Sequence, residues 1–101
     1  MTTLELLTTT RQRLTTHWCP QAAEGENLCL ILTLTDVASP GWMRGNACFM
    51  PREFDQALNR LKVLAGTEDL ARWNDQAQHV DVLALVDAAI QIEAQTQGMC
   101  Q

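Results

Sequence analysis

The cysteines and histidines are the residues of this chain whose chemistry could support a reactive or metal-binding site. His17 and Cys19 are separated by one residue, and Cys29 and His79 lie further along. Thiolate and imidazole are ligands that zinc prefers, but a zinc site is usually marked by paired spacing such as C-x2-C or H-x3-H. Neither spacing occurs here. We therefore expect no metal site and no cofactor, and we interpret the thiols as small apolar core residues.

A cysteine nucleophile is the second chemical hypothesis. Cys19 or Cys48 could serve a small hydrolase or transferase if His17 or His79 lay within hydrogen-bonding reach of the thiol. No glycine-rich elbow or oxyanion-hole motif accompanies either cysteine. We therefore assign no catalytic residue and keep the cysteine enzyme as an alternative function.

A predicted loop at residues 39–50, indicated by Pro40, two glycines and Asn46, supplies candidates for protein binding. It contains Trp42, Met43, Arg44 and Phe49, and tryptophan, methionine and arginine are enriched at protein interfaces. Trp18 is a further candidate. These residues predict an interface with a protein partner or with a second copy, and we expect the chain to form a homodimer through the loop at residues 40–50. The alternative is that Trp42 and Phe49 fold back over the core as a lid.

Composition limits the classes of function. The chain has 101 residues, 47% of them hydrophobic and 19% charged, which predicts a single folded domain over residues 1–101. Twelve acidic and seven basic residues give a net charge of -5. Because this charge repels phosphate groups, we expect neither nucleic-acid binding nor membrane binding. No signal-peptide pattern is present and the longest apolar run is short, so we expect a cytoplasmic protein with reduced thiols.

Local signals predict three of the helices. Thr2 with Glu5 forms a capping-box pattern that begins a helix ending at about Thr16. Pro51 and Gly66 bracket a second helix with an apolar stripe. The last helix, about Val80 to Gln95, is apolar around most of its circumference, which indicates the centre of the core.

The segment between the first two helices predicts a small amount of β-structure. Turn-forming residues at positions 24–27 separate two short apolar segments, which favours a β-hairpin near residues 18–31. Residues 28–38 suit either a strand or a buried helix, and periodicity does not decide between them. The predicted fold is therefore α+β and mostly helical, with about four helices and one short hairpin.

A Trp-Asn-Asp sequence precedes the last helix and is either a structural turn or a site. Thr67 can cap a short helix that ends where Asn74 and Asp75 break the apolar pattern, because both residue types tolerate turn conformations. We interpret Trp73-Asn74-Asp75 as a structural joint. In this interpretation Trp73 anchors the core and Asn74 makes a weaker turn contact.

Two segments, HWCPQAAEGENLCLIL at residues 17–32 and LARWNDQAQHVDVLALVDAAI at residues 70–90, resemble a family of small uncharacterised proteins from bacterial and phage genomes. That family has a tryptophan and a glutamine beside a hairpin, a Cys-Leu pair after the hairpin turn, and a Trp-Asn-Asp before a final apolar helix. This chain departs from the pattern after Leu30, where ILTLTDVA replaces an expected Gly-Ala pair. The resemblance implies a fold but no activity. The matching residues are Trp18, Gln21, Cys29, Leu30, Trp73, Asn74 and Asp75.

These observations favour a non-enzymatic binding or interaction protein of the bacterial cytoplasm. The cysteine-dependent hydrolase or transferase is the alternative from a different class. A third hypothesis is an accessory protein of a phage or mobile element that inhibits a host protein, which small size and acidity would permit.

Overall fold

Five helices account for most of the chain in the computed structural model, which describes residues 2–20, 23–24, 27–39 and 50–99. Two strands of two residues each, β1 (Ala23–Glu24) and β2 (Asn27–Leu28), pair in antiparallel orientation. The helices are α1 (Thr3–Thr16), α2 (Leu30–Ala38), α3 (Arg52–Ala65), α4 (Leu70–Gln76) and α5 (His79–Met99).

The predicted α+β class with about four helices is wrong. The described residues form five helices. A short antiparallel pairing does lie within the range predicted for the hairpin, but two residues per strand are fewer than a sheet layer needs. The fold is therefore all-α.

The alternative left open for residues 28–38 is resolved in favour of a helix from residue 30 onward. Leu30, Thr33, Leu34 and Val37 are the buried residues of α2, and they follow the i, i+3, i+4, i+7 spacing of one helical face. Thr33 is polar, so the apolar residues alone do not show this helical spacing in the sequence. Burial against α1 and α3 therefore decides a conformation that local propensity left ambiguous.

The predicted boundaries of α1 and α3 are confirmed. The Thr2 side chain accepts a hydrogen bond from the Glu5 backbone N–H at 3.0 Å at the start of α1. Helix α3 follows Pro51 and ends at Gly66, which has a φ of 72°. Helix α5 differs from its prediction, because it begins at His79 and continues to Met99.

The core lies where α1, α3 and α5 pack against one another. Helix α2 packs on α1 and α3, and α4 packs on α2 and α3. The ion pair between Arg11 and Asp87 at 2.8 Å, together with the contact of His79 with the Leu14 carbonyl, shows that α1 and α5 are antiparallel. The fully buried leucines of this core include Leu6, Leu7, Leu14, Leu30, Leu34 and Leu61.

No helix within the described ranges combines the length and the apolar content needed to cross a membrane.

Replacing Gly66 by alanine should lower the free energy of unfolding by about 1 kcal/mol, because a left-handed conformation disfavours a side chain. The added Cβ would meet no atom within 4 Å, so no steric clash adds to this cost. Asparagine tolerates the left-handed region, and Gly66→Asn is the control that should lose less stability. Chemical denaturation checks both values. An alanine variant as stable as the original protein would contradict this account of the helix end.

Candidate functional site

The side chain of Asn74 lies at the centre of a buried hydrogen-bond network. Its Oδ1 accepts from the Trp18 indole N–H at 2.9 Å and from the Leu30 backbone N–H at 3.1 Å. Its Nδ2 donates to the carbonyl oxygen of Pro20 at 2.9 Å and to that of Cys19 at 3.4 Å. Asn74 is fully buried, and the four bonds use both acceptor and both donor positions of its amide.

These bonds connect α4 to two parts of the chain that lie 44 to 56 residues earlier in the sequence. Leu30 is the first residue of α2, so its N–H has no partner within its own helix. The residue before it, Cys29, makes no side-chain cap, and Asn74 supplies the missing acceptor from α4. The same amide also binds the segment that follows α1, by donating a hydrogen bond to the carbonyl oxygen of Pro20. Asn74 therefore positions α4, the start of α2 and the end of the α1 segment relative to one another.

His79 extends this network to the start of α5. Its ring is stacked on Trp18, with ring centroids 5.1 Å apart and planes inclined by 1°. Its Nε2 contacts the carbonyl oxygen of Leu14, and this contact requires Nε2 to carry the proton because a carbonyl only accepts. These contacts hold the imidazole against α1 and the segment that follows it, so they give His79 a structural role.

The two described cysteines lie in the interior. Cys19 is 3% exposed and Cys29 is 5% exposed. The Cys19 N–H donates to the Leu28 carbonyl at 3.3 Å, and the Leu28 N–H donates to the His17 carbonyl at 3.0 Å. A nucleophilic thiol must reach its substrate, and burial prevents this for both residues. Cys48, the other candidate nucleophile, lies outside the described residues.

Among the residues that the structure describes, no three histidine, cysteine, aspartate or glutamate side chains are grouped so that they could hold a metal ion.

The Trp-Asn-Asp sequence does not lie at a turn. Asn74 and Asp75 are inside α4, which ends at Gln76, and the joint to α5 follows at Ala77 and Gln78. The prediction was wrong because the Asn74 amide points into the interior and bonds to other elements, so it does not compete with the backbone of its own helix.

The roles of the three residues also differ from those expected. Asn74 is completely buried, whereas Trp73 is only half-buried and Asp75 is exposed. Asn74, and not Trp73, therefore makes the specific hydrogen bonds that connect α4 to the segment after α1 and to the start of α2.

The predicted interface residues fall into two groups. Trp42, Met43, Arg44 and Phe49 lie outside the described residues, and the interface assigned to them stays a prediction. Trp18 is half-buried and is held by Asn74 and His79, so much of this side chain belongs to the interior.

An apolar groove lies between the end of α3, α4 and the first half of α5. Its volume is about 640 Å³. Leu64, Trp73, Leu85 and four alanines form its apolar lining, and Gln76 and Asp81 are its polar lining residues. The four alanines are Ala65, Ala77, Ala84 and Ala88.

The groove is not evident from the sequence, because its α5 residues have the apolar character of core residues. Val80 was expected in the core, yet it is 65% exposed. Val80, Ala84 and Ala88 are spaced by four residues and therefore follow one side of α5. Ala84 is exposed as well. These three small apolar residues on one side of the helix are visible in the sequence. Because α5 is apolar on almost every side, however, the sequence does not show which side is exposed to solvent.

A protein-family model described as "Family of unknown function (DUF6197)" matches residues 1–92, a span that contains α1 to α4 and the groove residues of α5. No curated protein and no solved structure matches the chain.

Replacing Asn74 by alanine should lower the free energy of unfolding by roughly 3 to 5 kcal/mol, since the indole of Trp18, the amide of Leu30 and the carbonyl of Pro20 all lose a buried partner. Asp75→Ala is the matched control on the same helix, and its exposed position predicts a change within about 0.5 kcal/mol. Denaturant unfolding followed by circular dichroism measures both. Similar small losses for the two variants would show that the network does not hold the fold.

The thiol of Cys29 should react slowly with a disulfide-exchange reagent in the folded protein, because burial keeps the reagent away from the sulfur. Peptide mass spectrometry after timed labelling distinguishes this residue from the other cysteines. Labelling in denaturant provides the control, since Cys29 should then react at the rate of an ordinary thiol. Equal rates in the two conditions would contradict the buried position.

Proposed function

The chain belongs to the family of unknown function DUF6197, and we propose that it is a non-enzymatic protein-binding domain whose binding surface is the groove between α3, α4 and α5. The observation that carries the proposal is the open, largely apolar lining of this groove, with the half-buried Trp73 among its residues. In several protein families an apolar groove on a small domain is the docking site of a partner segment. Tryptophan often supplies much of the binding energy at such sites.

The apolar surface extends beyond the groove. Val80 lies one helical turn before Ala84 on α5, and its side chain is 65% exposed. A small-molecule site usually encloses most of its ligand and directs several polar groups towards it. Here the polar lining residues are Gln76 and Asp81, and the groove is open to solvent. These features favour an extended protein segment over a small ligand.

The described residues give no support to the cysteine-enzyme alternative. Cys19 and Cys29 are buried, and the imidazole of His79 is engaged by Trp18 and by the Leu14 carbonyl. A general base must lie within hydrogen-bonding reach of the proton that it removes. The contacts of the His79 ring are structural ones with Trp18 and Leu14. Protein binding requires none of this chemistry.

The proposed setting is the cytoplasm of a bacterium, with the chain encoded by the bacterium or by a phage. The resemblance of its two sequence segments to bacterial and phage proteins supports this origin. A reducing compartment also suits a thiol such as Cys29 that is buried and not in a disulfide. Inhibition of a host protein is one form that binding through the groove could take.

A photo-reactive amino acid at position 84 should form a discrete covalent adduct with a partner protein in cells that produce the chain naturally, because Ala84 lines the groove and is exposed. The matched control is the same amino acid at position 94, where an exposed alanine of the same helix lies outside the groove lining. Adduct formation is read by gel electrophoresis and mass spectrometry. Equal adducts at both positions, or no adduct at position 84, would overturn the proposal.

A further inference from the structure

We propose that the groove binds an α-helix of another protein, and that this helix carries an apolar stripe flanked by lysine or arginine side chains. This inference rests on the proposed function and names the chemistry of the partner. It follows from the shape of the groove, from the size of its lining residues and from the distribution of charge.

The shape of the groove follows from the packing of α3 against α5. Arg60 contacts Glu93 at 3.8 Å, while Leu64 shares the groove lining with Leu85, so the two helices are antiparallel. No residue of α1 or α2 lines the groove, and α1 packs on the same helix pair elsewhere. The outer seam between two antiparallel helices accepts the side-chain ridge of another helix. A guest helix in this seam would complete a four-helix arrangement with α1, α3 and α5.

The size of the lining residues suits a closely packed helix. Ala84 and Ala88 are one turn apart on α5, and Ala65 lies at the end of α3. Methyl side chains on both sides of the seam allow the side chains of a guest helix to enter deeply, because the distance between packed helices depends on the residues at their contact. Trp73 provides a broad apolar surface at the α4 end. Leucine-sized residues at i, i+3, i+4 and i+7 would fill such a site.

Charge distinguishes a cationic partner from a second copy of the chain. Asp81 is the one ionisable residue among the described residues of the groove lining, and it is exposed. Within residues 2–20, 23–24, 27–39 and 50–99, no lysine or arginine lines the groove. The whole chain carries a net charge of -5, so a second copy would bring like charge and a second Asp81 to the same surface. A helix with basic flanks instead meets a complementary potential, which favours association and orientation.

The test uses three synthetic helical peptides of twenty residues that share one leucine stripe and carry lysine, glutamine or glutamate at the flanking positions. Each is titrated into isotope-labelled full-length protein, and chemical shifts of Ala84, Ala88 and the Trp73 indole report groove occupancy. The lysine peptide should bind roughly threefold more tightly than the glutamine peptide at low salt, as one solvated ion pair predicts. The glutamate peptide should bind most weakly, and added salt should reduce these differences.

Two variants of the protein test the charge preference and the location of the binding site separately. Asp81→Asn should remove the preference for the lysine peptide. The asparagine side chain can still accept the hydrogen bond that the Gln78 N–H donates at the start of α5, so the helix end is preserved. Ala84→Arg should abolish binding of the lysine peptide, whereas Ala94→Arg, outside the groove lining, should leave it unchanged.

Each contrary result has a distinct meaning. Equal binding of the three peptides in the groove would contradict the proposal that the partner helix has basic flanks, but not the proposal that the groove binds protein. If no peptide changes the chemical shifts of the groove residues, the proposal that the groove binds a helix is contradicted. Adduct formation at position 84 then decides separately whether the groove binds protein. Groove shifts that depend on protein concentration alone would identify a second copy as the occupant and overturn the inference.

Discussion

The buried amide of Asn74 is the interaction on which the arrangement of the helices depends. A buried amide without partners is costly, so its donors and acceptors require Trp18, Leu30 and Pro20 to approach together. Trp18 in turn stacks on His79, which fixes the start of α5. Because Trp73 is adjacent to Asn74 on α4, the network that orders the interior also sets the position of the tryptophan in the groove.

Helix boundaries set by local signals could be predicted from the sequence. The cap at Thr2, the proline at position 51 and Gly66 act within one turn of the chain, and α1 and α3 begin and end beside them. The conformation of residues 30–38 could not be predicted in this way. It depends on burial against α1 and α3, and the sequence separation of such contacts hides them from local patterns. The α+β class failed because, in the part of the chain that the structure describes, the predicted hairpin contains only two strands of two residues each.

The candidate site was predictable only in part. The Trp-Asn-Asp sequence drew attention to a structurally important position, but Asn74 bonds to residues 44 to 56 positions away, and its role cannot be read from its neighbours. The groove was missed because α5 is apolar on nearly every side. Only the packing shows that Val80 and Ala84 face outward while Val82 and Val86 are buried.

Hydrogen exchange at the backbone amide of Leu30 tests the central role of Asn74 most directly. Leu30 is the first residue of α2, and its N–H reaches Asn74 across the interior. The corresponding residue of α3 is Arg52, and the residue before it, Pro51, makes no side-chain cap. We expect the Leu30 amide to exchange about as slowly as that of Val86 in the core, and Asn74→Ala to remove this protection. A Leu30 amide that exchanges as fast as that of Arg52 in the unmodified protein would contradict it.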